Sequence, residues 1–131
     1  MIVVDTNVII YLILSSDLTE IAIEVRRKDK HWAAPMLWRS EFRNVLLGYF
    51  RRDLMSLFDV ISISELAESK VESRHVDGSR VIELAAESGC TAYDCEFISL
   101  AERLSIPLVT SDKKLLAAFP TIAVSMEAFT A

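Results

Sequence analysis

The sequence predicts an α/β fold, with a central and mainly parallel five-stranded sheet covered by helices on both faces. Two observations carry this prediction. Short apolar runs alternate with longer stretches of helical spacing along the whole chain, the pattern of strands joined by crossover helices. The runs are apolar throughout rather than at every second residue, as strands buried on both faces require. A length of 131 residues suits one compact domain, taken as residues 1–131, and 52% hydrophobic residues supply a substantial core.

"MIVV" is a β-branched, buried first strand that ends at Asp5. "NVIIYLIL" is too long and too uniformly apolar for a second strand, so it reads as a buried helix. Asp17 and Glu20 have the spacing of a capped helix start. That helix runs to about Lys28, where basic residues suit its C-terminal dipole. "HWAA" is the second strand. Pro35 is placed to open a helix at its first turn, continuing through "MLWRSEFRNVLLGYF", with a further helical piece around "DLMSLF". "VISI" reads as the third strand, and Ser62 with Glu65 as the start of a helix over "SISELAESKVESR". Asp77 caps "GSRVIELAAES", which Gly89 ends, and Thr91 with Asp94 starts "AYDCEFISLAERL". "LVT" after Pro107 is the fourth strand, "DKKLLAAF" a short helix stopped by Pro120, and "IAVSM" the last strand.

In parallel sheets of this kind ligands bind at the carboxyl ends of the strands, where the strand order reverses. Asp5 ends the first strand and Asp112 follows the fourth. If those strands are neighbours, both carboxylates face one crevice. Glu41 is the third candidate. At helical spacing it shares a face with Leu37, Trp38, Val45 and Tyr49, while Arg39 and Arg43 fall on the other side. A carboxylate on an apolar face gains a proton, pairs, binds a cation, or reaches water at the helix edge. Asp94 is the fourth. Each acid also has an ordinary reading: Asp5 and Asp112 as helix caps, Asp94 as the acid of a capping box. The combination carries more weight than any member.

Four carboxylates in one crevice repel one another, and a hard divalent cation removes the conflict. Mg2+ or Mn2+ fits, because these ions take oxygen ligands and keep waters for phosphate substrates. Such ions support hydrolysis of a phosphodiester. Asp5, Glu41, Asp94 and Asp112 are therefore the expected metal-binding and catalytic residues. Hydroxyls beside them, Thr6, Thr110 and Ser111, are placed to orient the acids or hold waters.

"VVDTNVII", "SEFRNVL" and "TAYDCEFISLAERLSIPLVTSDKKLL" together resemble the PIN-domain ribonucleases, and among them the VapC-type toxins of toxin–antitoxin pairs. The similarity covers nearly the whole chain in length and motif order. The resemblance implies a three-layer α/β/α domain, an acidic pocket for Mg2+ or Mn2+, and RNA as the substrate. Its acidic site falls on the same four residues, Asp5, Glu41, Asp94 and Asp112. Its last-motif hydroxyl falls on Thr110, and Thr6 and Asn7 fill the two positions after the first acid. It also implies a homodimer and a small VapB-like antitoxin as partners. "KKLL" stands where some relatives carry a further acid, so a second metal is expected to be held weakly or only with substrate.

A net charge of −5, from 19 acids and 14 bases, argues against a nucleic-acid partner only while the clustered acids count as free charge. The bases are locally grouped, and Arg39, Arg43, Arg51 and Arg52 are candidates for guiding an RNA backbone; solvated helix faces are the ordinary reading. Two cysteines fit neither a disulfide framework nor a zinc site, and His31 and His75 sit in no ligand pattern. A reduced, cytoplasmic protein without a membrane segment is expected, since "VIIYLIL" is too short to span a bilayer. Two other classes remain. A non-catalytic binding module on the same fold would usually have lost acids. A phosphoacceptor receiver domain needs an acid pair after the first strand and an aspartate ending the third, and "VISI" offers none.

Overall fold

A computed structural model describes all of residues 1–131. The chain runs β1 (Ile2–Val4), α1 (Thr6–Ile13), α2 (Thr19–Lys28), β2 (Trp32–Pro35), α3 (Leu37–Arg51), α4 (Leu57–Lys70), β3 (Val71–Arg74), α5 (Gly78–Ser88), α6 (Ala92–Leu104), β4 (Leu108–Val109), α7 (Lys113–Ala118), β5 (Ala123–Val124) and α8 (Met126–Thr130). The five strands form one sheet in the order β3-β2-β1-β4-β5, and every pairing is parallel. Right-handed crossovers then put α1–α4 on one face and α5–α7 on the other. The packing agrees: α1 meets α2, α3 and α4, and α5 lies along α6, which backs β1, β2 and β4. This is the three-layer α/β/α arrangement expected.

The central strands are solidly apolar because both faces are covered. Ile2, Val3 and Val4 are all buried, as are Trp32, Ala33 and Ala34 and the pair Leu108 and Val109. Trp38, Phe42 and Leu46 bring the inner face of α3 onto this layer, and Phe97, Ile98 and Leu100 do the same from α6. At roughly 1.5–3 kcal/mol for each large side chain fully buried, these contacts set the positions of the strand ends. No helix is long and apolar enough to cross a membrane.

The third strand is not "VISI". Those residues lie inside α4, which starts earlier than expected, at Leu57, where the Ser56 hydroxyl accepts the Asp59 N–H at 3.1 Å. Ser62, expected to start the helix, is in its interior. β3 is instead "VESR", and only Val71 of it is buried. An edge strand carrying charged side chains lacks an apolar run, while α4 is apolar on both sides. Val60 and Ala67 face inward, and Leu57, Phe58 and Ile61 are exposed. β3 ends at Arg74, so the receiver-domain requirement for an aspartate there also fails on the correct strand.

Smaller differences have local causes. Pro35 closes β2 rather than opening α3. The ladder continues through the Met36 N–H, which donates to the Arg74 carbonyl at 3.0 Å, and the helix begins at Leu37. Residues 53–56 of "DLMSLF" form a turn, with Asp53 at a φ of 57°. Asp17 does not cap α2. Thr19 closes that corner, accepting the Ser16 N–H at 2.9 Å and donating to the Tyr11 carbonyl at 2.7 Å. The strand in "IAVSM" is limited to Ala123–Val124, because Ser125 caps α8 by accepting the Ala128 N–H at 3.1 Å.

Candidate active site

Strand adjacency builds the first half of the site. β1 and β4 are neighbours in register, Val3 against Leu108 and Val4 against Val109. The next residue on one strand is Asp5 and on the other Thr110. The Asp5 N–H donates to the Val109 carbonyl at 3.0 Å, fixing the backbone that carries the acid. Thr110, fully buried, donates its hydroxyl to Asp5 Oδ2 at 2.7 Å and accepts the Asp112 N–H at 3.0 Å. One hydroxyl therefore ties two of the four acids together. Asp5 occupies the N-cap position of α1 but makes no side-chain cap. Asp112 does cap α7, its Oδ1 accepting the N–H groups of Lys114 and Leu115 at 2.8 and 3.2 Å.

Helices bring the second half. Glu41 sits on α3 one turn in, and its Oε1 accepts the Thr6 hydroxyl at 2.7 Å. Thr91 caps α6 by accepting the Asp94 N–H at 3.0 Å. The Asp94 carboxylate makes no hydrogen bond in return, so it is not spent on a reciprocal capping box. Asp5, Glu41, Asp94 and Asp112 all line one pocket of about 290 Å³, together with Thr6 and Asn7. This is the crevice at the switch point, between strands whose connections leave in opposite directions.

Charge in this pocket is unanswered. None of the four acids forms an ion pair; the salt bridges engage other carboxylates throughout. Burial pushes the Asp5 carboxyl up to about 6 from 3.8, and the charges of Glu41 and Asp94 add to the rise. The Thr110 hydroxyl and the Thr6 backbone amide pull it part of the way back. The donors are all oxygens with no cationic neighbour, which fits a hard divalent ion such as Mg2+ or Mn2+. They do not form a closed cage, because no group of three or more His, Cys, Asp or Glu side chains is clustered closely enough to hold an ion. The arrangement suits an ion that keeps part of its water shell better than one wrapped in protein ligands.

Other sequence-predicted residues are placed differently. Ser111 neither lines the pocket nor bonds to an acid. Arg43 binds Glu68 at 2.9 Å, and Arg39 approaches the same carboxylate at 3.8 Å and donates to Ser73 at 3.0 Å. Arg52 stacks over the Tyr49 ring at 5.0 Å, and Arg51 is exposed without an ionic partner. None of these four arginines lines the pocket. The sequence reading missed Asn44 and Ile10, which do line it. Asn44 is three residues past Glu41 and so on the same helical face, a signal that was available. It also missed Glu96, a half-buried acid on α6 whose pKa is raised by burial and then by the charge of Glu41.

The fold and pocket define an α/β protein with a carboxylate-lined crevice at the end of a parallel sheet. Residues 2–120 match the PIN domain family, and the chain belongs to it. PIN domains are generally nucleases. Comparison with curated protein sequences returned no match. Among solved structures the chain is similar to PAE2754 from Pyrobaculum aerophilum, at 22% identity and a TM-score of 0.77, covering 98% of this chain and 85% of that one. It is similar to a toxin–antitoxin complex from Klebsiella pneumoniae, at 17% identity and a TM-score of 0.71, covering 96% and 98%. It is also similar to VapBC2 from Rickettsia felis, solved bound to a DNA fragment from its promoter, at 18% identity and a TM-score of 0.70, covering 95% and 98%. At these identities the likeness is one of fold.

Proposed function

We propose that the chain is a Mg2+- or Mn2+-dependent endoribonuclease, the toxin of a VapBC-type pair, acting as one domain in the cytoplasm. The observation that carries this reading is a single pocket lined by four carboxylates with no cation to answer them. Asp5, Glu41, Asp94 and Asp112 are the residues that would hold the metal. When bound, the metal supplies Lewis acidity that acidifies water and offsets charge on the phosphodiester.

The chain's own residues do the rest. β1 delivers Asp5 rigidly, and Thr110 fixes its rotamer while holding the backbone of Asp112. Thr6 orients Glu41, leaving its second oxygen free. The Asp112 carboxylate keeps Oδ2 for the pocket while Oδ1 caps α7. Buried and without a basic partner, Asp5 is also the group best placed to take a proton near neutral pH.

Kinship in fold with toxin–antitoxin complexes supports an antitoxin as partner, and a second copy of this chain is the further partner that the family resemblance implies. Exposed Leu57, Phe58 and Ile61 on α4 provide apolar area for a protein contact to bury.

The test is cleavage of an RNA panel with Mn2+ and with EDTA, by the wild type and by Asp5→Asn. Cleavage that needs metal and disappears in Asp5→Asn is expected. Equal cleavage by both proteins, or indifference to EDTA, defeats the reading. A non-catalytic binding module has one observation in its favour, the absence of a tight acid cluster. Calorimetric titration that finds no Mn2+ binding at millimolar metal would select it.

A further inference from the structure

A phosphodiester strand is an anion, and the pocket proposed to receive it is lined by four carboxylates and by no lysine or arginine. A basic side chain at that spot would pair with the acids and occupy the place of the metal. Apart from the proposed metal, direct contacts to the strand inside the pocket then fall to neutral donors. The Thr6 hydroxyl is committed to Glu41, so it is not available. Two side chains in the lining remain, Asn7 in the first turn of α1 and Asn44 on α3. Both are exposed, and neither amide makes a hydrogen bond within the protein. They stand on two separate elements that pack together, so their spacing is fixed by the fold.

We propose that the Asn7 and Asn44 side-chain amides are the substrate-positioning donors of this site, each giving an N–H to an oxygen of the nucleic-acid backbone. The inference rests on the nuclease reading. An asparagine suits the role because its NH2 donates without adding a charge, so the acids stay free for the cation. The acceptor is a phosphate oxygen or a ribose 2′-hydroxyl, which share the ability to take an N–H.

The test uses a fluorescein-labelled single-stranded RNA and its DNA counterpart. Binding is measured in an Asp5→Asn background, where cleavage does not interfere, and kinetics in the otherwise wild-type enzyme. Asn7→Ala and Asn44→Ala are each expected to raise Kd and KM roughly fivefold to tenfold, the effect of one hydrogen bond, with kcat changed less than about twofold. Asn44→Asp, of the same shape but without the donor, is expected to weaken binding further, and Asn44→Gln to recover part of the loss. Mn2+ affinity of Asn44→Ala should match the wild type. A loss shared by RNA and DNA assigns the contact to phosphate, and a loss confined to RNA assigns it to the 2′-hydroxyl. Unchanged KM and Kd in Asn44→Ala and Asn44→Asp would overturn the proposal, as would a loss of Mn2+ binding that explains the defect. If the wild type binds RNA through these asparagines but cleaves nothing with Mn2+, the nuclease reading falls and the strand contact stands. If it neither binds nor cleaves RNA, both fall.

Discussion

At Asp5 burial holds a carboxyl group at a pKa of about 6, so a proton would compete with the proposed cation for it in the neutral range. The folded pKa lies above the unfolded value of 3.8, so the folded state binds the extra proton between the two. The stabilisation this gives is complete below the unfolded pKa and is lost as pH rises through about 6. Ionised Asp5 then costs the metal-free fold on the order of 3 kcal/mol at neutral pH. Asp5→Asn should therefore raise the Tm of EDTA-treated protein at neutral pH while abolishing cleavage. The gain should fade as the acid form is reached, which thermal unfolding across a pH series will show. Thr110 supplies the opposing pull. Thr110→Val should move the pH midpoint of Mn2+ binding upward. It should also cost about 1–3 kcal/mol in denaturant unfolding, because the buried Asp5 carboxylate and the part-buried Asp112 N–H lose their partner. The candidate acids stood out in the sequence because Asp5 and Asp112 follow strands, Asp94 opens a helix and Glu41 breaks an apolar face. The Thr110 bridge needed the β1–β4 register, whereas Asn44 shares the helical face of Glu41 at i,i+3 spacing and was within reach of the sequence.

Among the elements, the sites of agreement and of error share one physical origin. β1, β2 and β4 are covered on both sides, so burial wrote itself into the sequence as unbroken apolar runs. Asp77, Gly89 and Thr91 act as the caps their residue types suggest, with Gly89 at a φ of 74° ending α5. β3 has one neighbour and one buried residue, so its backbone pairing with β2 left almost no side-chain trace. α4 erred in the other direction. Its outward Leu57, Phe58 and Ile61 blur the one-sided periodicity that marks a helix on a core, and a β-branched stretch inside it passes for a strand. The two alternative starts of this helix make different predictions. Ser56→Ala removes the cap and should cost about 1 kcal/mol in chemical denaturation, whereas Ser62→Ala, inside the helix, should change stability little. The reverse result would place the helix start where the apolar pattern suggested.

The molecule as a whole carries its conflict at one place. The sheet gathers four carboxylates at a switch point above a close-packed core, and no lysine or arginine stands among them. A cation that binds there binds the folded chain and not the unfolded one, in which the four acids are scattered between positions 5 and 112. Metal affinity and fold stability are then linked. At a free Mn2+ concentration about one hundred times Kd the fold gains about 2.7 kcal/mol, a rise in Tm of roughly 10 °C for a chain of this size. EDTA should reverse the shift. The same titration on Asp5→Asn should show a much smaller rise from a higher metal-free Tm, because that substitution removes both a buried charge and a proposed ligand. Differential scanning calorimetry of the two proteins, each with Mn2+ and with EDTA, measures all four quantities. A Tm that does not respond to Mn2+ in the wild type would mean that the carboxylates tolerate one another without a metal, and the conflict attributed to the pocket would have to be resolved by protonation of Asp5 instead.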